Sequence, residues 1–434
     1  MSKVAIFWFR RDLRLHDNAG LYHALTSGHP VLPIFIFDPT ILEGLPKDDA
    51  RVSFIHQRLK GLHQQLSKLN APLAVYHGTP KQIFQQLWET HKIASVFTNH
   101  DYEPYAQKRD AGVQRFLNEK GIIFNTYKDQ VIFEKGDICK DDGSPYVVFT
   151  PYMKKWKSVF NAADPIPAYV SQSMFANLAK GLKIPFLELD TIGFTKSPIE
   201  VADPHLSTDF LEKYHHTREY PALENGTSRL GVHLRFGTVS VREIVKMALG
   251  ATDDTFLHEL IWREFFMQIL WHFPKTTTHA FKPKYDRITW RNHAMEFERW
   301  QKGETGFPLV DAGMRELNAT GYMHNRVRML TASFLCKHLL IDWRWGEAYF
   351  AEKLLDYEMA SNVGNWQWAA GSGVDAAPYF RIFNPTTQIK KFDKELDYVR
   401  HWVPDFQELS YPQPMVDHRF ARERCLATYK KALD

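Results

Sequence analysis

The chain opens with a run of six apolar residues, VAIFWF at residues 4–9, and the charged segment RRDLR at residues 10–14 follows at once. Further short runs rich in branched and aromatic residues, typical of buried strands, lie at residues 31–37, 73–76, 95–98 and 122–126. Helical patterns separate them at residues 18–26, 52–69, 80–91 and 105–119. Because strands that alternate with helices form right-handed βαβ units, residues 1–128 are predicted to form an α/β domain around a parallel, five-stranded, Rossmann-like sheet.

The turn after the first strand is the place to look for a dinucleotide-binding fingerprint. In that class a Gly-x-Gly-x-x-Gly pattern follows the first strand, so that the backbone can approach a pyrophosphate closely. Residues 10–14 instead carry arginines, an aspartate and a leucine, with no glycine. The standard dinucleotide fingerprint is therefore absent.

The pattern changes after residue 128. Residues 129–205 carry turn signals, such as DDGSP at 141–145, and many prolines between 164 and 198, so a connector with a few helical turns is predicted. From residue 206 onward helical patterns dominate, for example at 255–271 and 322–340. We therefore predict a mostly α-helical domain over residues 206–434.

Composition restricts the class of protein. Of 434 residues, 24% are charged and 44% apolar, with a formal net charge of +4, which excludes disordered, collagen-like and coiled-coil classes. The three cysteines lie far apart, so neither a disulfide framework nor a cysteine-rich zinc site is expected, and we assign no metal. No apolar run approaches the ~20 residues of a membrane helix, and the N-terminal run is too short for a signal peptide. We expect a soluble, cytoplasmic protein.

The first candidate site is the segment ELIWREFF at residues 259–266. On a helix Glu259, Trp262 and Arg263 stand at i, i+3 and i+4, so they share one face. A carboxylate, an indole and a guanidinium can together stack on a ring and hydrogen-bond its edges. Taken alone, the pattern is explained better by a solvated Glu–Arg pair on an ordinary helix.

The second candidate is YMHNRVRM at residues 322–329. Asn325 and Met329 are i, i+4 neighbours on a helix, whereas Arg326 and Arg328 point to different faces. This mixture suits a ligand with anionic and planar parts. An ordinary amphipathic helix start is again the better explanation of the segment in isolation.

The third candidate is the strongest: DYEMASNVGNWQW at residues 356–368, followed by DAAPYFRIFNP at 375–385. Acids, an amide and two indoles this close together are hard to explain by packing alone, and Asn362 and Trp366 are again i, i+4 neighbours. A fourth, weaker candidate runs from Tyr214 to Arg218 and continues in GTSRLG at 226–231. Its small hydroxyls ahead of a helix could cradle a phosphate, although a plain helix cap explains the loop better.

Together these segments resemble the cryptochrome/photolyase family, most closely its class I cyclobutane pyrimidine dimer photolyases. The resemblance runs from end to end. It begins at FRRDLR, residues 9–14, with HDN at 16–18, and continues through FTPY at 149–152. Its most specific part extends from FPLVD at 307–311 to Asn384 and Pro385.

The resemblance implies a flavoprotein that holds FAD in its helical domain. The FAD-binding positions by correspondence are Tyr214, Thr227, Ser228, Arg229, Leu230, Gly231, Phe256, Glu259, Arg263, Arg328, Asp356, Tyr357, Glu358 and Asn362. Among these, Arg328 would pair with Asp356, and Asn362 would face flavin N5. The chain departs from the family pattern at Phe256, Gly231, Glu358 and Asn365, which concerns flavin geometry rather than the dimer-binding set.

The resemblance also implies a pocket for a dimer flipped out of DNA. Trp262 and Trp368 would sandwich the dimer, Glu259 and Asn325 would hydrogen-bond its bases, and Met329 would line the pocket. Together with Asn362 these form the predicted catalytic set. The predicted DNA contacts are Arg218, Trp262, Arg263, Asn325, Arg326, Arg381 and Gln388. The predicted electron-transfer chain is Trp290, Trp343 and Trp366.

The implied activity is light-driven splitting of cyclobutane pyrimidine dimers by electron transfer from excited, reduced FAD, performed by a monomer acting on DNA. The alternative from another class is a cryptochrome-type blue-light photoreceptor, against which Asn at 362 and Trp at 368 argue. A 6-4 photoproduct enzyme would carry His at position 325, and a light-independent nucleotide-binding protein would leave the Trp-rich half without a role. A second, antenna chromophore (a folate, a deazaflavin, FMN or FAD) would sit in the first domain near residues 99–103.

Overall fold

The computed structural model of the chain describes residues 3–162 and 166–434. By their internal contacts the residues form two compact units. Unit 1 comprises Met1–Glu134, Ala162–Ala202 and Leu230–Met247, and unit 2 comprises Lys135–Asn161, Asp203–Arg229 and Ala248–Asp434. Each unit is therefore built from three separate stretches of sequence.

Unit 1 contains a parallel five-stranded sheet with the strand order β3-β2-β1-β4-β5. The strands are β1 Val4–Phe9, β2 Val31–Phe37, β3 Ala74–His77, β4 Ile93–Asn99 and β5 Ile123–Tyr127. The helices between them are α1 Ala19–Leu25, α2 Pro39–Leu42, α3 Ala50–Ser67, α4 Pro80–Thr90 and α5 Pro104–Glu119. The central strands β1 and β2 are buried almost throughout, as expected of parallel strands covered on both faces. The predicted α/β fold is confirmed.

A buried network of charges lies within unit 1. One of its members, Arg14, belongs to the segment after β1 that carries no glycine. Arg14 donates to the carboxylate of Asp129 at 2.8 Å, and Arg242 reaches the same carboxylate at 2.9 Å. Arg242 also pairs with Asp17 at 2.9 Å. All four side chains are almost fully buried, so each charge depends on its partners.

Helices are the regular elements of unit 2 among the described residues, and loops and turns join them. The remaining α-helices of the chain are α6 Phe149–Ala162, α7 Thr208–Thr217, α8 Gly231–Arg235, α9 Val241–Leu249, α10 Thr255–His272, α11 Ala294–Lys302, α12 Pro308–Thr320, α13 Asn325–Ser333, α14 Trp343–Lys353, α15 Met359–Ala370, α16 Pro385–Phe392, α17 Asp397–Trp402 and α18 His418–Leu433. Of these, α8 and most of α9 belong to unit 1. The core of unit 2 gathers side chains from α11 to α15, among them Trp300, Trp343 and Trp366. Helices α10 and α15 pack against each other. The predicted mostly helical second half is confirmed.

Two local predictions differ from the structure. The segment predicted as a connector, residues 129–205, contains a regular helix of 14 residues, α6; its proline at 151 stands in the first turn, where proline is tolerated. The helix predicted over 322–340 begins only at Asn325, and its last part, Phe334–His338, is a π-helical turn. The three-part domain division at residues 128 and 205 stays a prediction. No helix in the described part of the chain is both long and apolar enough to cross a membrane.

Candidate active site

Helix α10 presents the first candidate cluster, and an aromatic stack fixes its indole. The ring of Phe149 lies parallel to Trp262, with centroids 3.7 Å apart and an interplanar angle of 7°. Phe266, one turn further along α10, is 5.4 Å from the same indole. Trp262 is nevertheless only half-buried. Its plane is therefore held from within the protein while part of the side chain remains accessible.

Glu259 lies one turn before Trp262 and carries an ion pair. Its Oε1 accepts a hydrogen bond from Arg218 Nη1 at 2.7 Å. About a third of the Glu259 side chain is exposed, so the pair borders solvent. The structure thus joins a residue predicted to hydrogen-bond bases with one predicted to contact DNA.

Asn325 and Met329 lie together at the start of α13, as their spacing predicts. Asn325 is exposed, and its Nδ2 stands 3.9 Å from Met329 Sδ. Trp368, near the end of α15, is half-buried and packs against the helical core. All of the residues predicted to hold a dimer therefore have side chains that are exposed or half-buried.

A bidentate ion pair links α13 to the segment before α15. Arg328 donates to both carboxylate oxygens of Asp356, at 3.1 and 2.9 Å, and its Nε donates to the carbonyl of Met323 at 2.6 Å. Burial disfavours the charge of Arg328, but the adjacent Asp356 carboxylate outweighs it and raises the pKa of the guanidinium. Such fork-shaped pairs fix geometry as well as charge.

The side chain of Asn362 is held by a residue that sequence reasoning missed. Its Nδ2 donates to the carboxylate of Glu347 at 2.9 Å and to the backbone carbonyl of the same residue at 3.1 Å. Burial raises the pKa of Glu347, against hydrogen bonds from Asn362 and Tyr357 that favour its charged form. The amide oxygen of Asn362 is thereby pointed away from Glu347. The one sequence signal was a carboxylate inside the aromatic segment WRWGEAY at 343–349.

The residues predicted to bind phosphates surround Tyr322. The guanidinium of Arg229 lies 3.6 Å from the centre of the Tyr322 ring, and Thr227 Oγ1 lies 3.0 Å from its hydroxyl. Within the described residues Arg229 has no carboxylate partner, so its charge is available to an anion. Burial raises the pKa of Tyr214, whose ring meets that of Phe256 edge to face at 5.0 Å. Hydroxyls beside an unpaired guanidinium fit the pyrophosphate of a dinucleotide.

The remaining predicted cofactor residues do not all lie in unit 2 beside Tyr322. Leu230 and Gly231 belong to unit 1, where Leu230 precedes the five-residue helix α8, so no long helix follows the predicted phosphate loop. Arg263 and Glu358 form an ion pair at 3.5 Å, and both are almost buried. This burial favours a cofactor role for Arg263 over a contact with DNA. Neither Ser228 nor Tyr357 is fully buried.

Three of the predicted DNA contacts, Arg218, Arg326 and Arg381, form a group of like charges in unit 2. Burial, and then the neighbouring Arg218 and Arg381, lower the pKa of Arg326. Glu219, which sequence reasoning missed, pairs with Arg326 and lies 3.7 Å from Arg218. Arg381 is exposed, and Gln388 on α16 is half-buried. Such a group attracts phosphates.

The three predicted electron-transfer tryptophans differ in solvent exposure: two are buried and one is half-buried. Trp366 and Trp343 are each 2% exposed, whereas Trp290 is half-buried, and all three contact the same core. Trp366 packs so closely on Gly346 that a Cβ there would lie 2.1 Å from its ring. Trp366 and Trp343 are therefore equally buried, and of these three indoles Trp290 is the one that is partly exposed.

The cleft at the carboxyl edge of the sheet in unit 1, where an antenna was predicted, is nearly filled. Its volume is about 10 Å³, and its lining includes Arg10, Arg11 and Asp101. Arg10 pairs with Asp110 at 2.6 Å and Arg11 with Asp101 at 3.2 Å. A larger cavity of about 360 Å³ lies elsewhere in unit 1, between α3 and residues 189–201.

Comparison with known proteins identifies the family of the chain. Residues 5–171 match the family model described as DNA photolyase, and residues 256–410 match that of the FAD binding domain of DNA photolyase. The chain is 36% identical to the deoxyribodipyrimidine photo-lyase of Halobacterium salinarum, with 99% of both chains covered. It is also similar to the crystal structure of a bacterial class III photolyase from Agrobacterium tumefaciens, at 33% identity and a TM-score of 0.88, over 100% of this chain and 98% of the other.

A second solved structure bears on the cofactors. The archaeal photolyase from Sulfolobus tokodaii, described with two FAD molecules and a novel light-harvesting cofactor, is 33% identical with a TM-score of 0.84, over 99% of this chain and 100% of the other. Sequence likeness of this extent covers both the α/β unit and the FAD-binding region. The chain belongs to the DNA photolyase family.

Proposed function

We propose that this photolyase acts on cyclobutane pyrimidine dimers, which it binds as bases flipped out of DNA. The observation that carries the proposal is the orientation of the Trp262 indole, which stacks parallel to the Phe149 ring at 3.7 Å and is still half-buried. Trp262 lies on the same face of α10 as Glu259. A flipped base loses its stacking, and an aromatic plane restores about 1–3 kcal/mol per base. Because a dimer stacks poorly in the duplex, it is cheaper to extrude than intact bases.

FAD would be held by the residues of unit 2 around Tyr322 and α15. Arg229 and Thr227 would bind its phosphates, and the Arg328–Asp356 pair would supply a fixed carboxylate beside it. When bound and reduced, FAD supplies the light-driven electron transfer that splits the dimer. The protein's own contribution is to position the cofactor and to exclude water from the site.

Asn362 would orient toward the flavin ring with its amide fixed by Glu347. Because both donated bonds of Asn362 Nδ2 go to Glu347, the amide cannot flip without losing them. The amide oxygen is then the group offered to a donor on the ring. Glu347 is in this way a positioning residue for Asn362.

The substrate would be held by Glu259, Asn325, Met329 and Trp368 together with Trp262. Glu259 is already ionically paired with Arg218 at 2.7 Å, so a base edge that bonds Glu259 would also meet a cation. Asn325 offers both a donor and an acceptor to a base. Trp290, Trp343 and Trp366 would carry charge from the flavin region to the surface during photoreduction.

A second chromophore is part of the proposal, supported by the relative described with two FAD molecules. If a folate, a deazaflavin or a second flavin occupied the sheet-edge cleft near residues 99–103, the cleft would have to widen, because its volume is only about 10 Å³. That the protein works as a cytoplasmic monomer stays a prediction.

A blue-light repair assay tests the proposal. The purified protein, with bound flavin verified by absorption, is illuminated with DNA containing dimers, and the remaining dimers are counted. Glu259→Ala should lower the repair yield per bound flavin several-fold. Glu298→Ala is the matched control, since it removes an exposed glutamate paired with Lys302 at 2.7 Å on α11.

Two outcomes would contradict the proposal. Wild-type protein that carries flavin and photoreduces it, yet removes no dimers, would support the photoreceptor alternative. A repair yield that Glu259→Ala leaves at the wild-type value would remove Glu259 from the substrate site while leaving the repair activity itself established.

A further inference from the structure

Lys337 is a buried lysine that the repair mechanism described above does not use. It lies in the π-helical turn Phe334–His338 and is 1% exposed. The turn is closed by a hydrogen bond from the N–H of Leu339 to the carbonyl of Phe334 at 3.1 Å. Lysine is almost never fully buried without a partner, because an ammonium group loses several kcal/mol of hydration there. The position therefore requires an explanation.

The partner of Lys337 is a backbone carbonyl in another segment. Its Nζ donates to the carbonyl oxygen of Arg381 at 2.8 Å. Within the described residues no carboxylate pairs with Lys337, and burial lowers the pKa of its amino group to about 8. A hydrophobic side chain of similar length would pack in this core at less cost, so the residue's distinguishing contribution is this one directed bond.

The bond anchors the loop that joins α15 to α16, residues 371–384. The loop is held at its start, where the N–H of Lys282 donates to the carbonyl of Ser372 at 2.9 Å. It is held in its middle, where the N–H of Phe149 donates to Asp375 at 3.3 Å. Tyr379 stacks on Tyr429 with centroids 5.8 Å apart, and Lys337 supplies a further anchor at Arg381, near the loop's far end.

Arg381 leaves this loop toward solvent. It is exposed, and within the described residues it has no ion pair; its guanidinium lies 5.5 Å from the ring of Phe383. The charges of Arg381 and Arg218 both act on Arg326, so the three belong to one cationic group. The direction in which Arg381 reaches that group is set by its backbone, which Lys337 fixes at the carbonyl.

We propose that Lys337 is a positioning residue for DNA binding, whose buried amino group fixes the Arg381 carbonyl and so presents the Arg381 guanidinium to a DNA phosphate. The inference rests on the proposed function, because it takes the cationic group as the DNA contact. A guanidinium that is held in place before binding loses less conformational entropy when a phosphate binds. Removal of the anchor should therefore weaken binding without removing any atom that touches DNA.

A double-mutant cycle tests the proposal. Binding of the FAD-loaded protein to a fluorescent duplex with one thymine dimer, and to the matched undamaged duplex, is measured by anisotropy. Lys337→Met should raise the Kd for both duplexes about three- to tenfold, the size of one hydrogen bond's effect. In an Arg381→Ala background the same change should add less than about twofold, because the group that Lys337 positions is already gone.

Arg424→Met is the matched control. Arg424 donates to the carbonyl of His338, in the same π-helical turn, at 2.6 Å, and within the described residues no hydrogen bond or ion pair joins it to the loop. Its loss should lower the midpoint of thermal unfolding and leave the Kd within about twofold of the wild type. If Lys337→Met fails to retain flavin, Lys337→Gln, which keeps a polar group but is shorter, takes its place in the cycle.

The outcomes separate the two proposals. An unchanged Kd in Lys337→Met, or a full additional loss in the Arg381→Ala background, would overturn the role of Lys337. Wild-type protein with equal affinity for the two duplexes and no repair in light would overturn the proposed function instead. The cycle on the undamaged duplex would in that case still decide whether Lys337 acts through Arg381.

Discussion

Replacing Phe149 by Leu tests whether the plane of Trp262 is set by its stacking partner. The two rings lie 3.7 Å apart at 7°, and Phe149 is 7% exposed, so the stack is largely shielded from water. Parallel aromatic pairs contribute about 0.5–1.5 kcal/mol beyond their buried area. Leucine fills much of the same space but offers no flat face, so this contribution should be lost.

The loss should appear in substrate affinity. An indole that is free to rotate must be ordered again when a flipped base stacks on it, so the Kd for a dimer-containing duplex should rise about 2- to 12-fold. The Kd for an undamaged duplex and the absorption of bound FAD should stay at their wild-type values, since neither involves the indole face. Fluorescence anisotropy on the two duplexes measures both quantities.

Phe160→Leu is a close control for this experiment. Phe160 is on the same helix, α6, and its ring is parallel to Trp156, with centroids 5.0 Å apart at 6°. Trp156 is buried and is not among the predicted substrate contacts. The reasoning is refuted if Phe149→Leu leaves dimer affinity intact, or if Phe160→Leu weakens it by the same factor.

Three further predictions concern the flavin region, the core and pH. Asp356→Asn removes one charge from the bidentate pair with Arg328 and should weaken FAD binding about 10-fold or more, as measured by flavin release during titration with denaturant. Gly346→Ala places a Cβ 2.1 Å from the Trp366 ring and should lower the free energy of unfolding by about 1–3 kcal/mol, measured by urea titration; an unchanged midpoint would contradict the contact. The buried Lys337 binds its proton less tightly in the folded than in the unfolded chain, because its pKa falls from 10.5 to about 8. The free energy of unfolding of the wild type, relative to Lys337→Met, should therefore rise by about 1 kcal/mol between pH 7 and pH 9, and a flat difference would disprove the shift.

The strands were readable from the sequence because both faces of a parallel sheet are buried. The predicted β1 and β2 agree with the structure at both ends, since each is one continuous apolar run. The edge strands Ala74–His77 and Ile123–Tyr127 are shifted by one residue, because an exposed edge carries a weaker apolar signal. The interior strand Ile93–Asn99 was nevertheless predicted two residues short at its start and one residue short at its end, so an interior position did not by itself fix the strand bounds.

Helix α6 was not readable because its signals conflict. Pro151 and the turn residues before it indicate a loop, and only the tertiary packing of Tyr152 and Trp156, each 1% exposed, shows why the segment is helical. Proline within the first turn costs the helix no hydrogen bond. Tertiary burial outweighed the local preference here.

Some contacts of the candidate site were predicted and others were not: the resemblance implied the Arg328–Asp356 pair, which the structure contains. Local spacing correctly brought Asn325 next to Met329. The partners Glu347 and Lys337 act through contacts 15 and 44 residues away in sequence, which no periodicity reports. The roles assigned by resemblance stay predictions until the assays above are done.

The interleaving of the two units has a consequence for dissecting the chain. Arg242, which neutralises Asp17 and Asp129 inside unit 1, comes from Leu230–Met247, a stretch separated from the sheet by part of unit 2. A fragment ended at residue 202 would keep every strand but would leave Asp17 without its arginine and Asp129 with Arg14 alone. An unpaired interior charge costs several kcal/mol. A stable sheet unit therefore requires the stretch Leu230–Met247 as well as the strands, and one cut after the last strand does not supply it.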